Sequence, residues 1–454
     1  MTGFSFETIK RQDMPQAGLV ALEQRDFVLR ETPEAFDTLS TLIHSLQRMQ
    51  CGGKQTIPPG ETTRISGASH CRYVLDEAWA SSGATLVLEG CTDFELVMSA
   101  EAGVRLRLET RAKFGILIRA CQRFTIRGLS LDLGRNPLMI DHCSDFMVSE
   151  CRFIRAEGYG VTLLNSHHAW LYACHFEDCL AAGVMVLGQS HDVLIEQCSV
   201  VGCRGDFNWD AGLHLCATTQ AVALEQIPEH CHEPVPLQQK QRRPFHIAVR
   251  DCVFTGCRAQ GVYLEGAVNC LLQNNAIIAN NKEGLCLDWG SSANLVVDNL
   301  IVSNGRRAAM TPASIEIDHL QRYPVLDDGS CSLKLPGISL DNAYLNRLTG
   351  NTVRDNFGGG IKLVRASQGN QICDNRILHN AHGVNRHTPH ANGISLLSLG
   401  ALKEFATSSG DEALLDFLPS SHNLIVGNVI CGHSADVFQD AGCVSNRVQG
   451  IDLP

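Results

Sequence analysis

The chain has 454 residues, 44% of them hydrophobic, with 40 glycines against 15 prolines and a formal net charge of −11. This composition fits a folded, turn-rich protein and excludes a disordered one; an acidic balance without a basic stripe argues against nucleic acid as a partner. No run of 18 apolar residues is present to span a bilayer, and the first residues lack a basic start followed by an apolar core. The sequence therefore predicts no membrane contact and a cytoplasmic protein, or a secreted one if a leader has been removed.

Residues 1–60 are expected to form an N-terminal segment distinct from the rest. Within it, residues 33–49 (PEAFDTLSTLIHSLQRM) place apolar side chains at helical spacing, with Thr32 as N-cap. A Gly52–Gly53 turn and the segment I-P-P-G-E-x-x-x-I, Ile57 to Ile65, follow.

From residue 61 to 454 a different pattern takes over. A glycine followed by alternating apolar residues recurs at Gly160, Gly183, Gly212, Gly261, Gly284, Gly337, Gly360 and Gly393, and the steps 160→183, 261→284 and 337→360 are each 23 residues. Each repeat holds a second run of strand-forming composition, such as DVLIEQC, NLVVDN and NRLTGN. The period predicts an all-β, right-handed parallel β-helix, a solenoid of short strands.

Two further rows share the period. Cys151, Cys174, Cys198 and Cys252 are continued by Asn275, Asn299, Asn351, Asn375 and Asn428; five residues on, Cys179, Cys203 and Cys257 are continued by Asn280, Asn304, Asn356 and Asn380. Stacked coils set such residues about 4.8 Å apart, where buried amides bond the coils above and below. The 20 cysteines are accordingly expected to be reduced and structural.

The amphipathic helix, the Gly-Gly turn, the I-P-P-G-E-x-x-x-I segment and the coil repeats together resemble the pectin-lyase-like right-handed parallel β-helix superfamily, over roughly residues 33–450. The resemblance implies that the N-terminal helix caps the first coil, and it implies a carbohydrate-active protein. It matches no diagnostic motif of pectate lyases, polygalacturonases or alginate epimerases.

In the repeated strand the second and fourth residues after alternation point inward, so the third and fifth face out. The fifth positions place Glu265, Asp288 and Asp341 in one row on three successive coils, with Asp210 just upstream in NWDAG. Carboxylates about 5 Å apart oppose each other's ionisation, which separates an acid from a base and suits glycosidic chemistry. These four are the candidate catalytic residues; the alternative is a solvated acidic stripe. His214, Tyr263, Lys362 and Arg365 on the same face, with Trp289 and Trp209 as stacking surfaces, are the candidate substrate-binding residues.

Inserts near 217–245, 306–335, 384–392 and 402–421 flank this strand and are expected to wall a groove. His230, Cys231 and His232 in the first are too closely spaced for a convincing metal clip. No cofactor is required and no metal ligand set is assigned; Ca²⁺ is the ion that three carboxylates would suit. The expected function is an enzyme cleaving or rearranging a glycosidic linkage in an oligosaccharide. The alternatives are a polysaccharide lyase or uronate epimerase, and a non-catalytic glycan- or Ca-binding solenoid. A dimer or trimer is compatible with the flat sides of such a fold.

Overall fold

The structure, a computed structural model, describes residue 46 and residues 51–60, 62–99, 106–108, 113–205, 210–218, 242–306, 335–382, 391–397, 419–439 and 442–450. Short strands stack into three parallel sheets of 14, 13 and 11 strands. Successive strands of a sheet come from successive coils. The first sheet runs from Gly53–Thr56 to Arg447–Gln449, the second from Thr63–Ser66 to Val437–Gln439, and the third from Leu106–Leu108 to Val429–Cys431. A short helix, Glu77–Ser81, interrupts an early coil; the Asp76 carboxylate caps it by accepting the Trp79 N–H at 2.9 Å.

Three-residue and four-residue strands survive because each is paired on both sides and its inward side chains join one continuous core. Val262 and Leu264, Leu285 and Leu287, Ile338 and Leu340, and Ile361 and Leu363 are buried in it. Phe94, Phe124 and Phe146 stack one above another with ring centroids 4.8 and 4.9 Å apart, the spacing of the coils themselves.

The amide rows form as the period predicts. Asn275 Nδ2 donates to Asn299 Oδ1 at 2.9 Å, Asn299 to Asn351 at 3.0 Å, Asn351 to Asn375 at 2.9 Å and Asn375 to Asn428 at 3.0 Å. The second row runs from Asn280 through Asn304 and Asn356 to Asn380 in the same way. A third row, Asn294, Asn346, Asn370, Asn423 and Asn446, was not among the expected ones. Cysteines fill equivalent slots in the earlier coils, where Cys252 N–H donates to Asn275 Oδ1 at 3.0 Å. Cysteines of the described residues are free thiols, most of them buried.

The glycine that opens each repeat is a matter of space. A Cβ at Gly261 would lie 2.4 Å from Ile277 and 2.6 Å from the Asn280 amide, and one at Gly284 would lie 2.7 Å from Asn304. At Gly261, Gly284 and Gly337 the Asn row helps to fill that space, whereas at Gly160, Gly183 and Gly212 phenylalanine, valine, cysteine and the next coil's backbone fill it.

Of the expected N-terminal helix, only Leu46 lies within the described residues. It is helical and buried against Met147, Trp170, Leu194 and Ala248, on the outer face of the first sheet. The rest of residues 33–49 lies outside the described residues, as do most of the four inserts, including His230, Cys231 and His232.

Candidate active site

The second sheet carries the repeated strand, and its register sets the candidate residues in columns. Leu213–Cys216 pairs with Val262–Glu265, that strand with Leu285–Asp288, then Ile338–Asp341, then Ile361–Val364. Cys216, Glu265, Asp288 and Asp341 therefore stand directly opposite one another on successive rungs. His214, Tyr263, Cys286, Ser339 and Lys362 form the neighbouring column two residues back. Both columns face away from the core, since the residues between them are the buried Leu215, Leu264, Leu287 and Leu340.

Facing out does not make them solvated. Glu265 is 8% exposed, Asp288 4%, Arg365 3% and Lys362 6%, so the row is not a stripe that merely keeps the protein soluble. Charged groups this deeply buried need partners, and the columns supply them. Asp288 accepts three donors: the Tyr263 hydroxyl at 3.1 Å, Arg365 Nη2 at 3.2 Å and the Trp289 backbone N–H at 2.7 Å. Arg365 also bonds Asp341 through Nε. The repulsion expected between adjacent aspartates is thus met by one guanidinium placed between them.

The approach of Arg365 and Trp289 depends on the turn after the strand. His142, Asn165, Gly188, Gly266, Trp289, Asn342 and Arg365 each follow a strand of this sheet with positive φ. Glycine and asparagine are the usual occupants of that conformation, whereas arginine at φ 45° and tryptophan at φ 52° are not. Their cost is offset by what the bend achieves: it swings Arg365 back over the carboxylates, with its guanidinium 5.8 Å from the centre of the Trp289 ring.

One rung earlier, Glu265 has a different environment. His214 Nε2 lies 3.1 Å from Glu265 Oε2, and the Cys216 thiol donates to the same oxygen at 3.5 Å. The His214 ring is fully buried and lies 4.8 Å from the Tyr263 ring. Burial alone would lower its pKa, but Cys216 and Glu265 outweigh that and push it up to about 9. The Tyr263 hydroxyl is driven well above its usual range by burial and by Asp288 beside it, so it stays a neutral donor.

Lys362 lies at the other end. Burial lowers its pKa, opposed by the charges of Glu283 and Asp341. Glu283, buried and raised by desolvation, accepts from Gln260 Nε2 at 3.3 Å. Asp210 is buried at the turn before the His214 strand, outside the ladder, with its carboxylate so close to Gly205 that a Cβ there would fall 2.1 Å from Oδ2. Trp209 lies outside the described residues. Cys216, Glu283 and Gln260 were not among the candidates. The first was legible as the column position preceding Glu265; the other two stand at the corner before the glycine, which the strand alternation does not reach.

Comparison with known proteins bears on the fold. The family model described as a right handed beta helix region matches residues 107–226. That match agrees with the parallel β-helix formed by the three sheets. A second family model, periplasmic copper-binding protein (NosD), matches residues 196–318 and 246–394 of this β-helix. No curated protein matches. Among solved structures, the β-helix is similar to the A-module of the Azotobacter vinelandii mannuronan C-5 epimerase AlgE6, at 12% identity and a TM-score of 0.49, covering 92% of this chain and 94% of that one. It is similar to the periplasmic alginate epimerase AlgG at 12% identity and 0.45, covering 90% and 79%. For the bacteriophage CBA120 tailspike protein 3 the values are 12% and 0.45, covering 94% and 60%.

Proposed function

We propose that this β-helix is a carbohydrate-active enzyme that cleaves or rearranges a glycosidic linkage by carboxylate acid/base catalysis at Glu265, Asp288 and Asp341. The observation that carries the reading is the contrast between two adjacent carboxylates in one ladder. Asp288 is held by three donors, which favours its ionised form and suits a nucleophile or a base. Glu265, one rung away, meets through its Oε2 the Cys216 thiol and the His214 imidazole, whose pKa is pushed up to about 9, so this pair holds a proton that can be delivered through Glu265 to a leaving group. Neighbouring rungs are about 4.8 Å apart, close to the separation of about 5 Å that fits a covalent, retaining course.

In this mechanism Glu265 protonates the leaving oxygen while Asp288 attacks the anomeric carbon or activates water. Tyr263 and Arg365 orient Asp288, and Arg365 couples it to Asp341. The resemblance of residues 33–66 and the coil repeats to pectin-lyase-like proteins supports a sugar as substrate. A bound Ca²⁺ at the three carboxylates would have to displace Arg365 from both aspartates, so the geometry favours acid/base chemistry over a calcium site.

One observation favours a second reading. Lys362, buried with a lowered pKa beside Asp341 and Glu283, suits the base of a lyase or epimerase acting on a uronic acid. Turnover of a panel of neutral and acidic oligosaccharides separates the two. New reducing ends without an unsaturated chromophore, lost in Asp288→Asn, are expected; an unsaturated product or an epimerised one that depends on Lys362 would replace the first reading by the second.

A further inference from the structure

The rung that opens the acidic row brings together three different donor atoms. His214 and Cys216 are two residues apart on one strand and so share its outer face, and Glu265 stands directly across from Cys216 on the next strand. His214 Nε2 and Glu265 Oε2 are 3.1 Å apart, Cys216 Sγ and the same Oε2 are 3.5 Å apart, and the ligand atoms of all three residues lie within 4.8 Å of one another. All three residues are buried.

Two kinds of chemistry use a cysteine, a histidine and a carboxylate. A nucleophile relay sets the carboxylate on the imidazole nitrogen remote from the thiol, which orients the ring for proton transfer. Here the carboxylate meets Nε2, while Nδ1 is buried with no hydrogen-bond partner among the described residues. The carboxylate oxygen that meets the imidazole is also the one that meets the thiol, so the three side chains converge. Convergence is the geometry of a chelate. With metal–ligand bonds of about 2.0–2.3 Å, tetrahedral donors stand roughly 3.3–3.6 Å from one another, and the two measured separations fall at or just below that range.

We infer that His214, Cys216 and Glu265 form a binding site for a zinc-class divalent ion, with the fourth position open for water or a ligand. One thiolate, one imidazole and a single carboxylate suit a borderline ion; hard cations such as Ca²⁺ need several oxygens. Because two ligands sit on one strand and the third is fixed by register, the site is held by the backbone ladder and needs no loop to assemble. The ion and the proton that Glu265 donates in the proposed mechanism occupy the same place and exclude one another. The site therefore acts as a metal-operated brake on that carboxyl. The binding claim does not rest on the glycan reading and is tested without substrate.

The full-length protein, stripped with a chelator, is titrated with Zn²⁺ by calorimetry and with Co²⁺ by absorption, alongside the Cys216→Ser and His214→Ala variants. The site predicts a single equivalent of ion and a thiolate-to-cobalt charge-transfer band, both lost in Cys216→Ser while its circular dichroism matches the wild type. His214→Ala should weaken binding and retain the band at high Co²⁺. Absence of binding by the wild type, or a band unchanged in Cys216→Ser, overturns the site and leaves the glycan reading standing.

Discussion

Along the two outward columns of the second sheet the chain does two different things with the same backbone. In the earlier coils Met139, Leu164, Met185 and Leu187 form a buried apolar patch with Tyr159 and Ala182. A few rungs later the same positions hold Glu265, Asp288 and Asp341, together with His214, Tyr263 and Lys362. Strand length and pairing do not change between the two stretches, and the inward side chains remain Val, Ile or Leu. The solenoid thus acts as a rack whose outer slots can be filled independently, and adjacent buried carboxylates meet in register on the later rungs. Asp141 makes the point from the other side. It stands in the same column as Glu265, buried and paired with Arg119 and His142, with apolar Leu164 as its next neighbour. It has a carboxylate's partners and no second carboxylate to work with.

The contrast can be broken most severely at Asp288. Asp288→Asn should cut turnover by about 100-fold or more, measured as reducing-end release, while Asp141→Asn leaves it unchanged. Equal losses would mean that any buried carboxylate of the column supports the fold and that neither is catalytic. Arg365→Lys keeps the charge and loses the fork that spans Asp288 and Asp341. A fall of roughly 10-fold in kcat, with KM little altered, is expected.

In the apolar stretch the order of effects reverses. Leu187→Ala should lower stability by about 2–4 kcal/mol in denaturant titration, with kcat preserved in the folded fraction. The interior rows respond like the apolar stretch. Asn351 donates to Val296 O, Thr349 O and Asn375 Oδ1 and accepts from Asn299, so Asn351→Ala strands several buried groups and should cost about 2–4 kcal/mol. A site effect without a stability effect would contradict the division between rack and slots.

The smallest effect concerns pH and lies away from the column. Burial lowers the His191 pKa to about 4, and the same cause lowers that of His433 to about 4. Between these values and the unfolded value of about 6.5 the unfolded chain binds more protons than the folded one. Stability is therefore whole above about pH 6.5 and falls as pH drops towards 4. Thermal melts should show a Tm loss of a few degrees across that interval. His191→Phe, which copies Phe245 at the next position of its own column, should flatten the part due to His191.

The fold was legible because a solenoid writes its structure at a fixed interval. Gly261 and Gly284 repeat for want of space above the amide row, and Asn275 and Asn299 repeat because each bonds the next coil. The columns were legible for the same reason: alternation within a strand and period between strands fix which residues meet. The third amide row through Asn294 and Asn346 is harder to read, because the coil before Asn294 holds Cys270 in that slot, outside the two cysteine rows. The partners of the acidic row were less legible. Arg365 stands in the left-handed turn that recurs after strands of this sheet, and neither period nor polarity says that its side chain folds back onto Asp288 and Asp341. The burial of the row is not legible either, since alternation tells in from out and says nothing of what covers the outside.

The central claim is that the rungs from Glu265 to Asp341 bind and turn over a sugar. A crystal structure of Asp288→Asn with an oligosaccharide that the wild type converts tests it most directly. The account predicts a glycosidic oxygen within hydrogen-bonding reach of the Glu265 carboxyl, with the adjoining sugar ring over residue 288. A substrate seated on the first or third sheet, away from His214 and Arg365, would contradict it.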